Sequence, residues 1–270
     1  MKIAFLGGGN MASALIGGLL ARGFDAAAIR VIEVNPQARE RLAARYPVGV
    51  SAGVDAAVHD CDTLVLAVKP QDMRAALASL AGDVGTMLVV SIAAGLRLED
   101  LSRWMGGHRK IVRCMPNTPA LIGRGISGLY ALPEVTPEER ARAEQVLGAV
   151  GEVVWVDAEA LLDPVTALSG SGPAYVFWFI EQLARAGARL GLEPETAQRL
   201  ALATVRGAAE LAAGSSDSPA VLRERVTSKG GTTEAALKVL RDERVGERLE
   251  RAIEAASRRG AELGDGLGAD

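Results

Sequence analysis

The sequence predicts an α/β chain, in which a mostly parallel, doubly wound sheet is followed by an all-helical C-terminal part. Three observations carry this. Short β-prone apolar runs alternate with helical patterns over about the first 115 residues, as in strand–helix–strand units. The first of these runs opens directly into a glycine-rich turn and then a helix. From about Asp163 onward no stretch has the period of a strand, and helical patterns are separated by Gly, Pro and Ser. With 270 residues, 49% of them hydrophobic, the chain can bury a substantial core and hold two domains.

The first strand is Lys2-Ile3-Ala4-Phe5-Leu6, and Gly7, Gly8, Gly9, Asn10, Met11 and Ala12 follow at once. Ala14, Leu15, Ile16, Leu19 and Leu20 then recur at helical spacing until Gly23. The pattern G-x-G-x-x-A falls on Gly7, Gly9 and Ala12, and each small residue has its own task. Gly7 permits a sharp turn, Gly9 lets a pyrophosphate approach the backbone, and Ala12 lets the helix pack close to the strand. Unpaired amides at that helix start favour phosphate. A glycine-rich turn without a ligand is the alternative. Glu33, closing the next strand, favours the dinucleotide.

A second strand is expected over 29–34 and a charged helix over 37–45, with Pro36 near its start, where a missing N–H costs nothing. A weak strand at 48–50 follows, then a continuous apolar strand at 63–68, as expected of one buried on both faces. Further elements are a helix at 72–80, a strand at 87–92, a helix at 98–105 and a strand at 110–115. A short strand, a helix at 137–150 and a last strand at 153–156 complete the sheet, and the tail 264–270 reads as frayed. The boundary lies near 157–165, giving domains 1–160 and 161–270. Ligands of such sheets gather at the carboxyl ends of strands. There the sequence places Ala67, Val68, Lys69 and Pro70, then Ala93 and Ala94, then Asn117.

The helix beginning at Pro173 carries Tyr175, Phe177, Trp178 and Phe179, four of the chain's ten aromatic residues. Its later charges, Glu181, Arg185 and Arg189, recur every fourth residue and so share one narrow face. A helix apolar around most of its circumference is buried on most sides, so a subunit interface is favoured over a ligand-stacking site. Farther on, Ser228-Lys229-Gly230-Gly231-Thr232-Thr233 leads into an apolar-periodic helix. Glycines and hydroxyls at a helix start form a concave set of donors suited to a carboxylate, or simply a capped helix behind a flexible loop.

A net charge of −3 without long basic blocks argues against nucleic-acid binding. Cys61 and Cys114 are the two cysteines and lack CxxC spacing, so no cysteine-rich metal site is expected and a reduced compartment suits them. No basic, apolar leader precedes the first strand, and no apolar stretch approaches the roughly twenty residues of a membrane span. A cytoplasmic protein is expected.

Six segments in order resemble the pyrroline-5-carboxylate reductase family. They are G-G-G-N-M-A at Gly7, A-V-K-P at Ala67, V-S-I-A-A-G at Val90, M-P-N-T-P at Met115, L-S-G-S-G-P-A-Y at Leu168 and S-K-G-G-T-T at Ser228. The resemblance implies reduction of the C=N bond of Δ1-pyrroline-5-carboxylate to L-proline, the last step of proline biosynthesis, with hydride from NADPH or NADH. It also implies a Rossmann-like N-terminal domain and a helical dimerisation domain interlocked with a second subunit's, giving a homodimer or a ring of dimers. Carried over by motif, Gly7 to Ala12 and Ala67 to Pro70 hold the cofactor, while Ser228, Gly230, Gly231, Thr232 and Thr233 hold the substrate.

Hydride addition to an imine asks the protein mainly for placement and charge management. Thr233 is the expected catalytic group, its hydroxyl bonded to the ring nitrogen, with amides around Gly230, Gly231 and Thr232 on the carboxylate. Lys69 is expected to neutralise cofactor phosphate or fix its loop. His59 and His108 read as solvated loop residues, and Cys114 as a small core residue. Many relatives carry a polar residue and then Arg at the second strand's end. Here Glu33 and Val34 stand there, which favours NADH, unless Glu33 points away or Arg39 or Arg41 reaches a phosphate. A 3-hydroxy-acid dehydrogenase needs a lysine on the long helix, and none lies between Lys110 and Lys229. A nucleotide-sensing scaffold has no need of a carboxylate nest.

Overall fold

The computed structural model describes residues 1–80 and 84–268. Among these, eight strands form one sheet: β1 (Ile3–Leu6), β2 (Ile29–Ile32), β3 (Gly49–Ser51), β4 (Thr63–Leu66), β5 (Leu88–Ser91), β6 (Ile111–Met115), β7 (Gly125–Ala131) and β8 (Gly151–Trp155). Their spatial order is β3-β2-β1-β4-β5-β6-β7-β8. The first six run parallel. β7 is antiparallel to β6 and β8 parallel to β7, so the last two strands point the other way. Strand order reverses beside β1, which opens a crevice at the carboxyl ends of β1 and β4.

Seven helices accompany the sheet: α1 (Asn10–Ala21), α2 (Pro36–Arg45), α3 (Ala56–His59), α4 (Met73–Ala78), α5 (Leu98–Trp104), α6 (Pro137–Gly148) and α7 (Leu162–Val165). They cover both faces, which is why the strands read as unbroken apolar runs. Ile3 and Phe5 join Leu15, Ile16 and Leu19 of α1 and Val146 and Leu147 of α6 in one core. Ala4 and Leu6 point the other way, to Met73 and Leu77 of α4 and Leu98 and Leu101 of α5.

Local signals place the helix starts. Asn35 accepts a bond from the Ala38 amide, with Pro36 in the first turn of α2. Thr136 and Glu139 form a reciprocal capping box on α6. Two strands end earlier than their apolar runs. β2 stops at Ile32, although the Glu33 amide still bonds the Ser51 carbonyl, and Val34 turns out to solvent. β4 stops at Leu66, one step before Ala67, whose amide bonds the Leu6 carbonyl. The expected helix at 72–80 is a 3-10 turn, Pro70–Asp72, followed by α4. α3 was not expected, and the Asp55 carboxylate makes it by capping the amides of Ala57 and Val58.

After α7 a π turn, Thr166–Gly170, leads to α8 (Gly172–Arg189), α9 (Pro194–Ala213), α10 (Pro219–Arg225), α11 (Thr232–Asp242) and α12 (Val245–Leu267). By its contacts the chain forms two compact units: Met1–Ser171 together with the chain from Ala255, and Gly172–Glu254. The expectation of a frayed tail from residue 264 is corrected. α12 continues to Leu267, and Gly264 is buried because the last turn packs against the Gly95 turn within the first unit. Residues 269 and 270 of that tail lie outside the described residues.

In the second unit α8 and α9 approach closely where Gly187 meets Ala197. Its buried apolar residues, among those described, are Ala197 and Ala201. Phe177, Trp178 and Phe179 are 66%, 61% and 51% exposed on the single chain. This unit has apolar surface in excess and almost no core of its own.

Candidate active site

In the first unit, the expected cofactor residues gather at the carboxyl ends of β1, β2, β4, β5 and β6. The three glycines after β1 differ in what surrounds them. Gly7 has φ +100, its amide bonds the Ile32 carbonyl, and a Cβ there would stand 2.8 Å from the Ala67 carbonyl oxygen. A Cβ on Gly8 would clash with Leu42 Cδ1. A Cβ on Gly9 would meet nothing within 4 Å, so Gly9 faces open space. Gly9 is also the N-cap of α1, which has no side-chain cap. The first intrahelical bond runs from the Ser13 amide to the Gly9 carbonyl. Among the described residues, the amides of Asn10, Met11 and Ala12 have no hydrogen-bond partner, while Ala12 itself is fully buried. Unpaired donors behind an uncovered glycine fit a pyrophosphate.

Beyond this turn lies a cavity of about 580 Å³ lined by Gly8, Gly9, Asn10, Glu33, Arg41 and Arg45, among others. The Glu33 carboxylate does not point away along the strand. It accepts from the Gly8 amide at 2.9 Å and from the Asn35 amide at 2.8 Å. Arg39 donates through Nη1 to the carbonyls of Glu33 and Val34 and does not line the cavity, whereas Arg41 and Arg45 do. The donor set, the uncovered glycine and this cavity together fit a dinucleotide.

At the end of β4, Val68 packs on the core, Lys69 is exposed and Pro70 opens the 3-10 turn. At the end of β5, Ala93 is buried and Ala94 exposed. Asn117 uses its side chain inside the protein. Its Oδ1 accepts from the Ile126 amide at 2.9 Å, and its Nδ2 donates to the Ser169 carbonyl at 3.2 Å. It ties the start of β7 and the π turn to the end of β6.

In the second unit, Gly230 has φ +73, and its amide donates to the Glu234 carboxylate at 2.6 Å. The Gly231 amide donates to the Ser228 carbonyl at 3.0 Å. Both glycine amides are therefore engaged within the loop. Gly231 is the N-cap of α11 without a side-chain cap, and the amides left open among the described residues are those of Thr232, Thr233 and Glu234 in the first turn.

His108 is corrected from a solvated loop residue to a half-buried one. Its Nε2 lies 3.3 Å from the Lys110 carbonyl, and burial holds its pKa below the ordinary imidazole value. His59 ends α3 and is exposed. Burial pushes the Cys61 and Cys114 thiols up, consistent with inert core residues. Among the described residues, no group of three or more His, Cys, Asp or Glu could hold a metal, and no helix is long and apolar enough to cross a membrane.

Comparison with known proteins agrees with this geometry. A family profile described as "Pyrroline-5-carboxylate reductase dimerisation" matches residues 159–263, and one described as "NADP oxidoreductase coenzyme F420-dependent" matches residues 2–95. A pyrroline-5-carboxylate reductase from Pseudomonas aeruginosa is 48% identical over 99% of this chain and 98% of its own. The chain belongs to the pyrroline-5-carboxylate reductase family. The solved structure of a pyrroline-5-carboxylate reductase from Coxiella burnetii superposes with TM-score 0.92 at 38% identity, over 97% of this chain and 98% of that one. The Plasmodium falciparum pyrroline carboxylate reductase, solved with NADP bound, gives 0.85 at 28% identity over 98% of each chain.

Several residues of this reductase-family chain were missed by reasoning from motifs. Glu234 lies just past S-K-G-G-T-T and accepts from the amide of Gly230, the residue before the Gly231 N-cap, and the signal for it was an acidic residue in the first turn of α11. Arg113 is buried within β6 and pairs with Glu159 at 3.0 Å and Asp163 at 3.6 Å. Glu159 also accepts from the Leu98 amide, joining the start of α5 to the chain after β8. A lone arginine in an apolar run was the available signal for that cluster.

Proposed function

We propose that the chain reduces the C=N bond of Δ1-pyrroline-5-carboxylate to L-proline, the last step of proline biosynthesis, with NADPH or NADH. It is an NAD(P)H-dependent oxidoreductase of the pyrroline-5-carboxylate reductase family. The observation that carries the reading is the uncovered Gly9 with the three unpaired amides behind it, in a chain whose family reduces this imine.

Gly7, Gly8, Gly9, Asn10, Met11 and Ala12 bind the pyrophosphate, and Glu33 reads the adenine-side ribose. Ala67, Val68, Lys69 and Pro70 with Ala93 and Ala94 line the rest of the cofactor, with Lys69 neutralising phosphate. Asn117 serves by holding the turn after β6. Bound NAD(P)H supplies a hydride to the imine carbon, and one proton completes the amine. Ser228, Gly230, Gly231, Thr232 and Thr233 form the substrate loop. The open amides of Thr232 and Thr233 grip the carboxylate, and the Thr233 hydroxyl hydrogen-bonds the ring nitrogen that becomes more basic as hydride arrives.

Residues 1–160 serve as the dinucleotide-binding domain and residues 161–270 as the dimerisation and substrate-binding domain. The nearly coreless second unit, with its exposed Phe177, Trp178 and Phe179, supports a homodimer, from which a ring of dimers can be built. The cytoplasm is the place where NAD(P)H and reduced thiols are available to it. Loss of NAD(P)H absorbance on adding pyrroline-5-carboxylate to the purified chain, with proline as product, tests the reading. Turnover of a 3-hydroxy acid instead, or cofactor binding with no turnover of the imine, refutes it.

A further inference from the structure

The turn after β5, at the cofactor edge of the sheet, is covered by the last turn of α12. Gly95 has φ +81, and a Cβ there would stand 3.2 Å from Leu267 Cδ1. A Cβ on Gly264 would stand 2.9 Å from the Gly95 carbonyl oxygen. Leu267 packs on the same core as Ala93 and Leu96. Arg97 pairs with Asp265, 168 residues away in sequence, and Arg103 donates to the Gly268 carbonyl at 2.7 Å.

We propose that the last turn of α12 is a positioning element for the cofactor site: Gly264 and Leu267 fix the turn of Ala93, Ala94 and Gly95, so that NAD(P)H affinity depends on them. The inference rests on the reading above, in which Ala93 and Ala94 contact the cofactor. The ion pair is not what holds the turn, because Arg97 and Asp265 are 44% and 73% exposed and such pairs are screened by solvent. The backbone-to-backbone contact at Gly264 and the packing of Leu267 do. A Cβ at Gly264 meets backbone that cannot rotate aside, so either the helix end or the Gly95 turn must move.

The test compares the full chain with its Gly264→Ala, Leu267→Ala and Asp265→Ala variants. NAD(P)H affinity is read by fluorescence titration, and kcat, both KM values and the melting temperature are measured. Gly264→Ala and Leu267→Ala should each raise Kd and KM for the cofactor about three- to tenfold, with kcat and the imine KM changed less than about twofold. Asp265→Ala should stay near the natural value. A lowered melting temperature with unchanged cofactor Kd in a folded variant means that the contact is merely structural and overturns the proposal. If Gly264→Ala does not fold, Leu267→Ala, which adds no atoms, decides alone. A natural chain with no affinity for NAD(P)H overturns the cofactor reading itself, and this inference with it.

Discussion

Replacing Glu33 with Asn and Val34 with Arg should turn this reductase from NADH toward NADPH. The carboxylate of Glu33 is pinned by two backbone amides, at 2.9 and 2.8 Å. Hydrogen bonds to a charged group contribute about 1.5–3 kcal/mol each, so swinging the side chain aside to admit a phosphate loses both. A 2′-phosphate brought within about 4 Å of that carboxylate is repelled by roughly 4 kcal/mol at an effective dielectric of 20. Arg41 and Arg45 line the same cavity and return part of this. Arg39 does not, since it lies outside that lining with its Nη1 on the carbonyls of Glu33 and Val34. The balance expected is a preference for NADH of about tenfold, or roughly 1.4 kcal/mol. Val34 is 80% exposed, so an arginine there can reach solvent-side phosphate without repacking. The assay is kcat/KM for both cofactors in the natural and doubly substituted enzymes. A natural enzyme that already prefers NADPH, with little change in the variant, would refute the role given to Glu33.

On the proposed role of Thr233, Thr233→Ala removes one hydrogen bond to the ring nitrogen and should lower kcat/KM for the imine by an amount equivalent to roughly 1–3 kcal/mol while leaving the cofactor Kd nearly unchanged. An unaltered kcat/KM removes Thr233 from the substrate site. Replacing Phe177 and Trp178 with Ser should abolish the natural oligomer in sedimentation and give aggregation or loss of helical-unit order. A stable, active natural monomer contradicts this. Burial depresses the His108 pKa below its unfolded value near 6.5, so its contribution to stability is present above that pH and is lost as pH falls from there through the folded value. Melting temperature should therefore fall as the pH is lowered below about 6.5, and His108→Asn should flatten that part of the profile.

The strands were legible because a sheet covered on both faces writes itself as unbroken apolar runs, and Ile3–Leu6 and Leu88–Ser91 show this directly. The glycine turn was legible because its conformational demands leave few residues to choose from. What escaped was set by partners distant in sequence. The Asn117 side chain is held by Ile126 and Ser169, and nothing in M-P-N-T-P says so. His108 looked solvated beside two glycines, and only the folded chain buries it. The tail beyond Gly264 is small and polar in composition, yet its packing against Gly95 depends on having no side chain there. Composition registers that absence as disorder, whereas the fold uses it as a close fit.

The reversal of β7 and β8 has a practical side. Because they run against the first six strands, β7 ends away from the carboxyl ends of β1, β4 and β5, and its exit through Pro133 and Glu134 is exposed. A strand of five residues separates the two edges by about 15 Å. The natural thiols, Cys61 and Cys114, are buried. A cysteine introduced at Glu134 would thus give a single reactive handle for a fluorophore or a surface tether. Immobilised through that point, the enzyme would present its cofactor edge to solution.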